Sequence, residues 1–152
     1  MGIQIASAVA HMHSQGVFHC DVSCRNIFLL DDRVVKVGDF GDSKIDDRDP
    51  LGAEEVRCEL PLRGRDWTQR GYVERELFAL GCAIYEVMAW RAPFAELSDK
   101  EVEENYGREE FPAVEGLLAG DVILRCWRED FQRAEDVEAA LEELGRLRGH
   151  LA

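Results

Sequence analysis

A chain of 152 residues with 46% hydrophobic residues is too apolar for a disordered segment and long enough to bury roughly two-thirds of its unfolded surface around one core. Thirty-one acidic against 18 basic residues leave a net charge of -13, which excludes nucleic acid and anionic membrane as partners and favours basic or neutral proteins. No apolar run nears the ~20 residues of a transmembrane helix, and five cysteines without Cys-x-x-Cys spacing exclude a disulfide framework or zinc site and imply a reducing, cytoplasmic compartment.

Met1-Gly2 begins a sequence with Ala6 where an N-myristoylation signal wants Ser or Thr, and no basic start precedes an apolar signal core, so neither acylation nor secretion is expected. Ile5, Val9 and Met12 recur at helical spacing and Gly16 is suited to a left-handed stop, which predicts a one-sided buried helix over 3–15. Ile27 to Leu30, a turn at Asp31-Asp32-Arg33, and Val34 to Val37 predict a β-hairpin. From Asp42 to Arg75 periodicity is lost and charge, glycine and proline accumulate. Glu74 to Trp90 is apolar almost all round and predicts a central buried helix. Ser98 with Glu101 predicts a capping box. Leu117, Leu118, Val122, Ile123, Cys126 and Trp127 form one apolar stripe, and Val137, Ala140, Leu141, Leu144 and Leu147 another. The fold class is mainly α with a small β-hairpin, α+β, in one domain over 1–152.

The chemistry concentrates between residues 19 and 41. His19-Cys20-Asp21-Val22-Ser23-Cys24-Arg25-Asn26 is succeeded, after the hairpin, by Asp39-Phe40-Gly41. Either motif alone is weak, but their order and spacing together are specific. The hairpin would set Asn26 and Asp39 at the open ends of adjacent strands, bringing two metal-binding side chains to one place. Phosphoryl transfer needs that arrangement: one carboxylate to orient the attacking hydroxyl, with an amide and a second carboxylate to hold magnesium against phosphates.

The pattern resembles the large lobe of a protein kinase, with a catalytic loop at 19–26, an activation segment at about 42–75 and a central helix at about 74–90. Phe78-Ala79-Leu80-Gly81 and Tyr85-Glu86 resemble that helix, and Pro93-Phe94 resembles the turn beyond its end. The resemblance implies ATP and Mg2+ as cofactors and a protein hydroxyl as substrate. It assigns Asp21 to the substrate hydroxyl, Asn26 and Asp39 to magnesium, and His19 to packing beneath Phe40. Phe28, two residues after the asparagine, is either a core residue or lies under the adenine ring. Where serine/threonine kinases carry a lysine this chain has Ser23, and Arg25 resembles the tyrosine-kinase loop Asp-Leu-Ala-Ala-Arg-Asn. A cation at either place can steady the transferring phosphate, although tyrosine specificity does not follow.

Departures from the family pattern set further expectations. Only eighteen residues precede His19 and no Gly-x-Gly-x-x-Gly occurs, so the small lobe is expected to be absent and the fragment inactive alone. Cys20 stands where regulated kinases place a phosphate-clasping arginine, and no Ser, Thr or Tyr occurs from Lys44 to Trp67, so phosphorylation of this segment is not expected to act as a switch. The Ala-Pro-Glu anchor is missing around Glu59 to Gly64, which would leave its usual partner, assigned to Arg133, unpaired. Glu76 replaces the aspartate that binds the catalytic-loop backbone, and its extra methylene is either accommodated or displaces Asp21. Three readings compete: a protein kinase domain, a non-catalytic pseudokinase-type binding module, and a small-molecule phosphotransferase, the last disfavoured by Asp39-Phe40-Gly41 and Phe78 to Gly81.

Overall fold

The computed structural model describes residues 1–149; residues 150–152, assigned above to the same domain, lie outside the described residues. Helix α1 (Gly2–Ser14) buries Ile5, Val9 and Met12, the positions whose spacing predicted it, together with Ala6 and Ala10. It stops at Gln15, and Gly16 comes next at φ +70°, a left-handed conformation that costs glycine little. Strand β1 (Val17–Phe18) leads into the catalytic loop, which ends in a 3-10 turn at Cys24–Asn26. Strands β2 (Ile27–Leu29) and β3 (Val35–Val37) pair antiparallel with Ile27 opposite Val37 and Leu29 opposite Val35. The hairpin is thus one residue shorter on each side than its apolar run, because Leu30 and Val34 belong to the turn, where the Leu30 amide donates to the Val34 carbonyl at 2.9 Å.

Besides 3-10 turns at Val56–Cys58 and Trp67–Gln69, the aperiodic stretch contains a strand that its sequence conceals. Strand β4 (Lys44–Ile45) pairs antiparallel with β1, Val17 opposite Ile45 and Phe18 opposite Lys44. Two residues are too few to show alternation, so this pairing is decided by the partner strand alone. It brings the start of the segment back beside the entrance to the catalytic loop.

Helix α2 (Tyr72–Ala89) is the centre of the molecule, with every residue from Arg75 to Tyr85 buried. Its end at Trp90 is left-handed, φ 56°. Gly81 lets α4 approach α2: a Cβ there would lie 2.7 Å from Cys126 Cβ. Helix α3 (Asp99–Gly107) carries the predicted capping box, the Ser98 amide donating to Glu101 Oε2 at 2.8 Å and the Glu101 amide to Ser98 Oγ at 3.5 Å. Helices α4 (Gly120–Trp127) and α5 (Ala134–Gly149) complete the shell, with α5 packed on α1 and α4 on α2.

Two stripe assignments are corrected. Leu117 and Leu118 precede α4 rather than lying on it, and Leu118 is exposed; Leu147 on α5 is exposed as well. Aromatic packing closes this end of the core, with Phe78 edge-on to Tyr106 at 5.2 Å and Phe111 stacked on Trp127 at 5.5 Å. Such pairs each contribute about 1 kcal/mol beyond the area they bury. Among the described residues no helix is long and apolar enough to cross a membrane.

Candidate active site

The backbone of the catalytic loop is held by two buried side chains. The Asp21 amide donates to His19 Nδ1 at 3.3 Å, so the other ring nitrogen, Nε2, is the donor to the Gly38 carbonyl at 2.8 Å. His19 also packs against Phe40, ring centroids 5.1 Å apart, which is the packing role expected of it. The Cys20 amide donates to Glu76 Oε1 at 2.7 Å from a left-handed residue, φ 63°. Glu76 therefore reaches the loop despite its extra methylene. Its second oxygen accepts from His13 Nε2 at 2.7 Å, a partner on α1.

Asp21 and Asn26 are joined directly. Asn26 Nδ2 donates to the Asp21 carbonyl at 2.8 Å and to Asp21 Oδ2 at 2.9 Å. Both amide hydrogens are then occupied, which leaves the Asn26 side-chain oxygen as the group able to meet a cation. Asp21 Oδ1 is buried with no hydrogen-bond partner among the described residues, an unpaired acceptor in the loop. The Arg25 guanidinium lies 3.6 Å from that oxygen and 3.0 Å from Glu55 Oε2. Arg25 is 63% exposed, and such pairs restrain a side chain only weakly.

Asp39 reaches the same place through its neighbour. The Gly38 amide donates to the Asn26 carbonyl at 2.9 Å while its own carbonyl accepts from His19, so Gly38 is stitched to the catalytic loop at both ends. Asp39 is next at φ 60°, exposed, in a conformation that costs a non-glycine residue roughly 1 kcal/mol or more and is typical of functional sites. Phe28 is 50% exposed, which rules out the core alternative. Asp21, Arg25 and Asn26 are joined at one end of the β2–β3 hairpin, the Gly38–Asn26 backbone bond brings the Asp39 backbone to the same end, and Phe28 lies on the hairpin itself. Among the described residues no cluster of three or more His, Cys, Asp or Glu is arranged to hold a metal. One carboxylate and one amide suit magnesium, which binds few protein ligands and completes its shell with phosphate and water.

The thiols take no part in this chemistry. Burial pushes Cys20 up to about 11 and Cys24 up to about 12, so neither is a thiolate at neutral pH.

The expectation for Arg133 is corrected. Arg133 is exposed and 3.1 Å from Asp136 at the start of α5, while the activation segment is anchored with the opposite polarity. Arg63 donates to Glu109 at 2.6 and 2.8 Å, to the Trp127 carbonyl at 2.6 Å and to Glu129, and Arg65 holds Glu129 at 2.8 and 2.9 Å. Burial opposes the Glu129 carboxylate, but the Arg65 and Arg63 guanidiniums outweigh it and hold the carboxyl below its usual range. Arg63-Gly-Arg65 was the only sequence signal for this anchor. Its partners lie 46 to 66 residues away, beyond any local pattern.

A loop carboxylate, Asp21, bound to the Asn26 amide, with left-handed Asp39 just beyond the hairpin and a central helix beneath, has the arrangement of the large lobe of a protein kinase. The model of the protein kinase domain matches residues 1–145, and the chain belongs to that family. It is 28% identical to the mouse (Mus musculus) Serine/threonine-protein kinase LMTK3 over 95% of this chain and 12% of that protein. It is also 28% identical to the Megakaryocyte-associated tyrosine-protein kinase of Rattus norvegicus, over 95% of this chain and 32% of that protein. A CBL-interacting protein kinase 25 from Oryza sativa subsp. japonica is 34% identical over 60% of this chain and 19% of its own length. The chain therefore spans less than a third of each of these relatives.

Proposed function

We propose that this lobe serves ATP- and magnesium-dependent phosphoryl transfer to a hydroxyl of a protein substrate. The observation that carries the reading is Asn26 Nδ2 held on Asp21 Oδ2 at 2.9 Å while Asp21 Oδ1 keeps no hydrogen-bond partner of its own. The Asp21 carboxylate, 22% exposed, accepts the hydrogen bond of the attacking hydroxyl and orients its oxygen. Arg25, 3.6 Å from that carboxylate, is placed to steady charge on the transferring group. Asn26 and Asp39 are the residues that would hold magnesium, whose charge neutralises the phosphate oxygens. Phe28 offers an exposed ring for the nucleobase. The relatives' names span both serine/threonine and tyrosine kinases, so the acceptor hydroxyl is not assigned. The net charge of -13 favours a basic or neutral protein partner, and five free thiols favour a reducing, cytoplasmic location.

The competing reading, a non-catalytic binding module, draws on the exposed apolar residues Phe28, Leu29 and Leu30 along the hairpin and its turn, with exposed Phe40 and Ile45 in the segment that follows it. A spectroscopic test separates the two. With ATP present, Mn2+ in place of magnesium is expected to broaden the amide signals of Asn26, Gly38 and Asp39 while sparing α4 and α5, and Asp39→Ala should abolish the effect. Uniform or absent broadening would favour the binding module. Transfer to a protein substrate that survives Asp21→Asn would remove Asp21 from its role.

A further inference from the structure

The segment that carries no hydroxyl from Lys44 to Trp67 is nevertheless fastened to the central helix at its midpoint. Arg75 Nε and Nη2 donate to a single oxygen of Glu54, Oε2, at 3.1 and 2.7 Å across 21 residues of sequence. The Glu54 and Arg75 side chains are 1% and 6% exposed, unlike the surface pairs elsewhere in the molecule. The Arg75 guanidinium also lies over the rings of Trp67, at 5.0 Å, and Tyr72, at 5.4 Å, two further contacts for its cation. Burial pushes the Glu54 carboxyl up and the Arg75 cation pulls it back, so the pair stands or falls together.

The next residue points elsewhere. Glu55 Oε2 lies 3.0 Å from Arg25, and Arg25 lies 3.6 Å from Asp21 Oδ1. Two residues further on, Arg57 donates to the Leu97 carbonyl at 2.6 Å and to Asp99 Oδ1 at 2.5 Å. Glu54 is thus where the segment is pinned to α2, and Glu55 is where it touches the catalytic loop. A one-residue offset leaves little slack between pin and contact, since consecutive Cα atoms are about 3.8 Å apart.

We infer that Glu54 and Arg75 form a permanent latch that positions the activation segment and places Glu55 within reach of Arg25 without any added phosphate. A phosphate can be added and removed, and it orders such a segment by offering charge to an arginine. A genetically encoded carboxylate offers the same recognition to Arg75 and cannot be removed. Glu54 acts through Arg75 and touches no reacting atom, so it is a positioning residue. Its consequence for transfer rests on the kinase reading above. The latch itself is a statement about segment order and is tested without activity.

Hydrogen exchange of the 152-residue chain provides the test. Glu54→Gln keeps the shape of the side chain and removes the charge. It is expected to raise exchange of peptides within 46–66 by at least about tenfold, while peptides of α1 and α5 stay as in the parent protein. It should also release Arg25, seen as a shift of its Nε–H resonance toward that of a free guanidinium. The charge-swapped pair, Glu54→Arg with Arg75→Glu, should recover part of the protection lost in either single variant. Unchanged exchange over 46–66 in Glu54→Gln, or a rise equal in all helices, overturns the latch. A second arm addresses displaced phosphorylation: Thr68→Ala with Tyr72→Phe should leave the segment as protected as before, and loss restored by acidic residues at both positions would overturn permanence. The Mn2+ experiment can fail while these outcomes hold, so the latch and the kinase reading are decided separately.

Discussion

The imidazole Nε2 of His13 lies 2.7 Å from Oε2 of Glu76, joining α1 to the central helix across 63 residues of sequence. The other Glu76 oxygen accepts the Cys20 amide at 2.7 Å, so one buried carboxylate spans from α1 to the catalytic loop. The longer side chain that replaces the family's aspartate is used at both ends. Glu76→Ala should destabilise the chain by about 3 kcal/mol, because it strands the buried Cys20 amide and the part-buried His13 ring, and Glu76→Asp should lose one of the two contacts. His13→Gln, which can present a donor at a similar reach, should cost less than His13→Leu. Urea denaturation checks the series, and a loss under about 1 kcal/mol for Glu76→Ala would show that the bridge contributes little.

Nucleotide binding by these 152 residues should be weak. They offer Asp39 and Asn26 to one side of a phosphate chain and contain no glycine-rich loop to cover it. Calorimetric titration with magnesium and ATP is expected to give a Kd no tighter than about 10 μM, lost in Asp39→Ala. Nanomolar binding would mean that another part of the chain grips the phosphates.

Close packing of α2 and α4 at Gly81 gives a sharp steric test. Gly81→Ala would put its Cβ 2.7 Å from Cys126 Cβ and 3.2 Å from Trp127 Cδ1, atoms of residues that are themselves buried. Alanine favours helix over glycine by about 1 kcal/mol, but overpacking here should win and leave a net loss of about 2 kcal/mol. A thermal midpoint equal to or above the parent's would show that α4 can move away without cost.

Two glutamates should respond to pH in opposite senses. Arg65 and Arg63 overcome burial to lower the Glu129 carboxyl, so its contribution is present above the ordinary glutamate value of about 4.3 and lost as pH falls through the lowered value. Burial and the nearby Glu55 raise the Glu86 carboxyl, so its contribution is present below about 4.3 and lost as pH rises through the raised value. At pH ~7.5, then, Glu129→Gln should lower the thermal midpoint and Glu86→Gln should raise it. Both differences should shrink toward pH ~3.5, and a Glu86→Gln effect that grows on acidification would reverse the sign of this argument.

Much of the scaffold was legible because its signals are local. Helix α1 announces itself through Ile5, Val9 and Met12, α2 through an unbroken apolar run, and α3 through a capping box of three-residue span. The candidate site residues from His19 to Gly41 were legible as a cluster for a similar reason: their proximity depends on short spacings along one loop and one hairpin. Leu118 and Leu147 show the limit of that logic, since an apolar residue at helical spacing is still exposed when no neighbouring element covers it.

What only the tertiary structure decided is how the loops are held. The pairing of Lys44 with Phe18, the anchor from Arg63 to Glu109 and Glu129, the latch from Glu54 to Arg75 and the bridge from His13 to Glu76 join residues 21 to 66 positions apart. None has a periodicity, because an ion pair or a two-residue strand imposes no repeat on the sequence around it. Charge made these residues look like solvated surface, and a folded partner turned them into fixed points. The sequence by itself therefore determined which groups are available for chemistry, through local spacing, while the tertiary structure determined which charges are buried and paired, through long-range packing that desolvates them.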